Sequence, residues 1–143
     1  MTVKAILSSK RGDIVTIEPT ATLESAVKIL SEKRIGALIV VGPDGRVAGI
    51  LSERDIVRAL GERGPSVLTE PVGQVMTRKV VTCSETDTVG NIMERMTAGK
   101  FRHVPVLDRG RLVGIVSIGD VVKYRLEEME RESSALREYI LTA

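Results

Sequence analysis

The chain has 143 residues, 43% of them hydrophobic and 28% charged, which is the composition of a globular protein with room for one or two small domains. Twenty-one Lys and Arg against nineteen Asp and Glu leave a formal charge of +2, too weak a field to argue for nucleic acid. With one His, one Cys, one Phe, two Tyr and no Trp, there are too few ligands for a Cys/His zinc site, too few rings for an aromatic base track, and only His103 for a nucleophile–base pair.

No apolar stretch approaches eighteen residues, and the N-terminal run is far shorter than a secretory h-region, so a cytoplasmic protein without membrane contact is expected. The single Cys83 cannot form an intrachain disulfide, in keeping with a reducing compartment. Val3 to Ser8 reads as a short helical segment. Ile14 to Ile17 is a β-like run, and Thr22 stands at a helix N-cap ahead of Leu23, Ala26, Val27 and Leu30, spaced i, i+3, i+4, i+7. Two β-branched runs, Ala37 to Val41 and Val47 to Leu51, flank the turn residues Pro43-Asp44-Gly45, and a second helix opens at Ser52. Gly61 to Thr69 reads as a linker.

The same order then returns. Val72 to Thr77 is a second short helical segment and Val80 to Cys83 a second β-like run. Thr88 is the next N-cap, followed by Val89, Ile92, Met93 and Met96 at helical spacing. Val104 to Leu107 and Leu112 to Val116 flank Asp108-Arg109-Gly110, and a helix opens at Ser117. Aligning 15–58 with 81–123, with one gap near Asp44, gives twelve identities where about three would arise by chance. The chain is thus a duplicated β-α-β-β-α unit of mixed α/β (α+β) class. A unit of this size has a thin core alone, so the two are expected to pack with pseudo-twofold symmetry. The expected division is 1–62 for the first domain, 63–70 linker, 71–125 for the second, and 126–143 for a C-terminal helix.

Gly49-Ile50-Leu51-Ser52-Glu53-Arg54-Asp55 recurs as Gly114-Ile115-Val116-Ser117-Ile118-Gly119-Asp120, each where a strand ends and a helix begins. Ser-x-x-Asp is capping-box spacing, which accounts for either occurrence as a helix cap. The alternative is a ligand site in which helix N–H groups and the Ser hydroxyl meet an anion while the carboxylate accepts from a sugar diol. Duplication of Gly, Ser and Asp amid divergent neighbours favours the second.

These motifs resemble the CBS domain of cystathionine-β-synthase type, here as a tandem pair or Bateman module covering about residues 2–125. The resemblance implies interface clefts for adenine nucleotides: AMP, ADP, ATP, and in some cases NAD(H) or S-adenosylmethionine. It pairs Thr16 with Ser117 and Asp120 in one cleft, and Thr82 with Ser52 and Asp55 in the other, the Asp holding ribose hydroxyls. Just before the second strand the halves differ, with Gly36-Ala37 against Arg102-His103, and the resemblance turns such basic residues towards phosphates. Arg54 is a further basic candidate, and Ile17, Cys83 and Ala37 are candidate walls for adenine. No catalytic group and no metal site are assigned.

From Val122 the chain runs to Ala143 without Gly or Pro. Val122, Leu126, Met129, Ser133, Leu136, Ile140 and Ala143 follow the alternating 4, 3 spacing of a heptad seam, so a long helix is expected, packed on a partner subunit or folded back on its own domain, and the resemblance implies the first, a homodimer. Taken together, the sequence points to a sensor whose nucleotide alters its conformation or its association with an unidentified protein target. A structural adaptor with non-binding clefts is the alternative, and an enzyme acting on the bound nucleotide is disfavoured by the absence of phosphate-loop motifs and of an evident general base.

Overall fold

The computed structural model describes residues 1–10 and 14–142. Its elements run α1 (Val3–Ser9), β1 (Thr16–Ile17), α2 (Leu23–Lys33), β2 (Ala37–Val41), β3 (Val47–Ser52), α3 (Glu53–Arg63), α4 (Val89–Gly99), β4 (His103–Asp108), β5 (Arg111–Ser117) and α5 (Ile118–Thr142), with short 3-10 turns at Pro65–Thr69 and Val72–Gln74. The mixed class expected from the sequence is present, with β-α-β-β-α in the first repeat and α-β-β-α in the second. The chain forms two compact units that interleave in sequence: Met1–Gly12, Thr82–Asp108 and Gly114–Ala143 in one, Asp13–Val81 and Arg109–Val113 in the other.

In the 13–81 unit the sheet order is β1-β2-β3, with β1 parallel and β3 antiparallel to β2. Central β2 has neighbours on both edges, and Leu38, Ile39 and Val40 have no exposed surface, which is why it reads as a continuous apolar run. Leu23, Ala26 and Leu30 of α2 and Ile56 and Ala59 of α3 complete the core. Thr22 caps α2 as expected, its side chain accepting from the Ser25 N–H. The expected linker is itself structured: α3 continues through Gly61, and the Pro65–Thr69 turn buries Val67.

The second repeat follows this plan with one strand nearly lost. Thr88 caps α4, and Val89, Ile92 and Met96 are buried. Between β4 and β5, Arg109 and Gly110 both have positive φ (51° and 81°), as a two-residue type I′ hairpin turn requires. The expected first strand at Val80 to Cys83 survives only as a parallel bridge from Cys83 to Val106. The cause lies in β4. Cys83 donates to the Pro105 carbonyl and accepts from the Leu107 N–H, but the next rung towards Val81 would need an N–H on Pro105, which has none. In the other unit the aligned residue is Ile39, and β1 pairs over two residues.

The segment ahead of each first strand lies in the unit built by the other repeat. Val3 and Lys4 donate to the carbonyls of Asp87 and Glu85, and Val89 donates back to Met1. Likewise Val72 and Gly73 donate to Ala21 and Pro19, and Leu23 donates to Glu70. These approaches explain the motif glycines. A Cβ on Gly49 would lie 2.6 Å from the Thr77 carbonyl oxygen, and one on Gly114 would lie 2.5 Å from Leu7 Cδ2. The last helix and the C-terminal extension form one continuous α5 of 25 residues, buried at Val121 and Tyr124. Ala143, the final seam position, lies outside the described residues.

Candidate functional site

Ser52 ends β3 and Ser117 ends β5, so in each unit the motif hydroxyl and carboxylate sit on the first turn of a helix leaving the sheet. Both corners form the capping box. Ser52 donates through N–H and Oγ to Asp55 Oδ2 (2.9 and 3.1 Å), and the Asp55 N–H donates to Ser52 Oγ (3.3 Å). At the other corner the matching distances are 2.9, 3.0 and 3.2 Å for Ser117 and Asp120. The cap fixes each carboxylate through Oδ2 alone, leaving Oδ1 to distinguish the corners.

Asp55 Oδ1 accepts from Thr77 Oγ1 at 3.0 Å and has the Arg58 guanidinium 3.7 Å away. With 6% exposure, Asp55 is the buried charged residue among the described residues. Asp120 is more open, its side chain 21% exposed, and Lys10 Nζ donates to its Oδ2 at 2.9 Å. Among the described residues Asp120 Oδ1 accepts no hydrogen bond. Partial burial raises the Asp120 carboxyl pKa, but hydrogen bonds from Ser117 and Lys10, with the Lys10 charge, outweigh it and hold the group below the ordinary carboxylate range.

Lys10 and Thr77 do equivalent work with different chemistry. Thr77 donates its N–H to the Ile50 carbonyl (2.9 Å) and its hydroxyl to Asp55. Lys10 sends one ammonium to both the Ile115 carbonyl (2.8 Å) and Asp120. The cation at the Asp55 corner is thus Arg58, at 3.7 Å, and at the Asp120 corner Lys10, in direct contact at 2.9 Å. Sequence reasoning missed Lys10 and Thr77 because they lie outside the repeated motif.

Of the other expected site residues, Arg102 is exposed, and its carbonyl accepts from the Ile118 N–H at 2.8 Å, which brings its backbone to the first turn of α5. The equivalent bond at the other corner, Glu53 N–H to Gly36 carbonyl at 3.0 Å, carries no side chain. His103, at the start of β4, is half-buried, and Arg54, on the first turn of α3, is exposed. Exposed Thr16 and buried Ile17 line a concavity of about 610 Å³ with Ala21, Ser25, Ile29 and Pro43. Ala37 is buried at the start of β2, and half-buried Thr82 accepts through its carbonyl from Arg95 at 3.5 Å. Cys83 is 6% exposed, and burial, with Asp87 adding and Arg95 opposing, pushes its thiol up to about 11. Thr16 belongs to one compact unit and Ser117 and Asp120 to the other, and the same holds for Thr82 against Ser52 and Asp55.

The CBS domain profile matches residues 3–62 and again 72–127, the spans that hold the two motif corners. The chain belongs to the CBS domain family. It is similar to the mitochondrial CBS domain-containing protein CBSX3 of Arabidopsis thaliana, 37% identical over 123 residues, a match that covers 83% of this chain and 60% of that protein. The chain thus spans about three-fifths of that relative's length. Among solved structures, a CBS-domain containing protein from Agrobacterium tumefaciens superposes with a TM-score of 0.84 at 46% identity, covering 87% of this chain and 99% of that one. A CBS domain protein from Pyrobaculum aerophilum complexed with AMP gives 0.75 at 29% identity, covering 84% and 89%. No helix among the described residues is long and apolar enough to cross a membrane.

Proposed function

We propose that this CBS pair is a regulatory module that binds an adenine nucleotide at the Asp120 corner and signals by a ligand-dependent change in its conformation or in its association with a protein target. One observation carries the choice of corner: among the described residues Asp120 Oδ1 accepts no hydrogen bond, and its side chain is partly exposed, whereas both oxygens of Asp55 accept hydrogen bonds and its side chain is buried. A ribose hydroxyl can donate to Oδ1 without disturbing the cap on Oδ2. A bare carboxylate would repel the phosphate of the same ligand, and the Lys10 ammonium removes that obstacle. Arg102, whose carbonyl meets the same helix start, carries an exposed planar guanidinium of the kind that suits a phosphate. The AMP complex of the Pyrobaculum aerophilum relative supports the ligand class.

The test is thermal unfolding and calorimetric titration of the full chain with AMP, ATP, NAD and S-adenosylmethionine. A ligand at 100 times its Kd adds about 2.7 kcal/mol, which is a Tm rise of roughly 5–10 °C for a chain of this size. Asp120→Ala should abolish the rise, and Asp55→Ala should leave it. A second reading, an adaptor whose corners serve only as helix caps, draws on each capping box being complete without a ligand. It stands if no nucleotide moves Tm.

A further inference from the structure

The first strand of each repeat has an outer edge, and the two repeats close it differently. In the second repeat Ser84 donates its N–H to Asp87 Oδ2 at 2.8 Å, Asp87 Oδ1 lies 3.5 Å from the Arg95 guanidinium, and Arg95 Nη1 donates to the Thr82 carbonyl at 3.5 Å. One ion pair thus covers a backbone carbonyl and a backbone N–H two residues apart. The aligned positions of the first repeat hold Ala21 for Asp87 and Ile29 for Arg95, so neither charge is there. In their place lies the concavity of about 610 Å³, walled by Ala21, Ile29, Val41 and Pro43.

The sheet register tells which backbone groups this leaves. Ile50 exchanges its N–H and carbonyl with Thr77 (2.9 Å each), so Ile39, opposite Ile50, turns its own towards β1. On β1 the groups turned inward are those of Ile17, and Thr16 and Glu18 turn theirs to the outer edge of the sheet. The Glu18 carbonyl accepts from the Ala21 N–H at 3.2 Å. Among the described residues the Thr16 carbonyl and the Glu18 N–H have no partner. These are the two groups that one residue of an added parallel strand engages, as Cys83 engages the Pro105 carbonyl and the Leu107 N–H within the second repeat. An antiparallel strand pairs with both groups of a single residue, and at Glu18 the carbonyl is already taken.

We propose that this edge and its concavity dock an extended peptide segment of a partner protein, laid parallel to β1 and carrying an apolar residue followed by a basic one. The residue opposite Ile17 shares its face of the pleat, so its side chain enters the concavity beside Ala21 and Ile29. The next residue stands beside Glu18, an exposed carboxylate with no ion pair among the described residues. A Lys or Arg there supplies the cation that Arg95 supplies in the second repeat. The inference is independent of nucleotide binding.

The probe is a labelled acetyl-Gly-Thr-Leu-Arg-Thr-Gly-amide peptide, titrated with the full chain in fluorescence anisotropy. Saturable binding with a Kd below about 1 mM is expected. N-methylation of the peptide Leu removes the donor to the Thr16 carbonyl and should weaken binding about 5- to 10-fold. Glu18→Lys should weaken the Arg peptide about 3-fold at low salt and strengthen a peptide with Glu in place of Arg. Ala21→Asp/Ile29→Arg installs the ion pair of the second repeat and should abolish binding, with circular dichroism checking that the variant folds. The peptide variants probe the same contacts on the unaltered protein. No binding to the parent chain, indifference to N-methylation, or equal binding of the Arg and Glu peptides would overturn the proposal. So would an assembly of the chain that Ala21→Asp/Ile29→Arg dissociates in sedimentation, because the groove would then hold a second copy.

Discussion

Replacing Lys10 by Met keeps the length and apolar stem of the side chain and removes one ammonium from the Asp120 corner. Two bonds go with it, at 2.9 Å to Asp120 and 2.8 Å to the Ile115 carbonyl. The Lys10 side chain is 37% exposed, so water screens the pair, and the cost is set by exposed or half-exposed ion pairs at about 1 kcal/mol. For a chain of this size that is a fall of roughly 2–4 °C in Tm at neutral pH. The pH dependence is the sharper signature. The Asp120 carboxyl is held below its ordinary value, so its ionised form stabilises the fold above the unfolded pKa of about 3.9, and that contribution is lost as pH falls through the lower folded pKa. Without Lys10 the burial that opposes ionisation is less fully offset, the folded pKa rises, and the acid limb of the stability curve moves to higher pH. Scanning calorimetry of both proteins from neutral to acid pH should show curves separated at neutral pH whose gap closes as pH falls below the ordinary carboxylate range, and narrows in added salt. Parallel curves with a constant gap across that range would refute an electrostatic role for Lys10.

Further outcomes follow from the same geometry. Asp55→Ala should destabilise more than Asp120→Ala, by about 2 against about 1 kcal/mol in urea unfolding, because it empties a 6% exposed position whose carboxylate accepts from Thr77 Oγ1 and the Ser52 N–H; equal losses would contradict the difference in burial. Gly49→Ala should cost about 2 kcal/mol or more, since its Cβ would meet the Thr77 carbonyl, a backbone atom that cannot swing aside. At pH 8 the native Cys83 thiol should react with iodoacetamide far more slowly than in denaturant, its pKa being pushed up to about 11 behind a 6% exposed surface; comparable rates would show the site to be open.

The elements that form by local rules were legible in the sequence. Thr22 and Thr88 cap helices because the hydroxyl meets an N–H three residues on, and β2 and β4 follow β-branched runs. What escaped was set by partners distant in the chain or by a single missing atom. Nothing near Val80 to Cys83 forbids a strand, and the loss comes from Pro105 in the neighbouring strand, whose absent N–H stops the ladder. Val3 to Ser8 is legible as helical, but its place beside α4 rests on backbone bonds to Asp87 and Glu85 that no side-chain pattern encodes. The candidate site divides in the same way. The cap within Ser-x-x-Asp follows from spacing, whereas Lys10 and Thr77 share no residue type and reach equivalent acceptors by a side chain in one unit and a backbone N–H with a hydroxyl in the other.

That divergence changes what the repeated motif can mean. Helix capping and ligand recognition are usually set against each other for a Ser-x-x-Asp corner, yet here they use different oxygens of one carboxylate. The cap holds Oδ2 at both corners through the same three bonds, so identity of the motif certifies only the cap. Whether the carboxylate can also receive a ligand depends on what reaches Oδ1 and on the charge left over, and both are decided outside the motif. At Asp55 a hydroxyl fills Oδ1. At Asp120 the donor is an ammonium on Oδ2, and among the described residues nothing donates to Oδ1. On the proposed reading the two copies of the motif are set apart by one residue each, and substituting those two residues is a stricter test of the site than substituting the motif itself, because Lys10→Met and Thr77→Val leave both capping boxes in place.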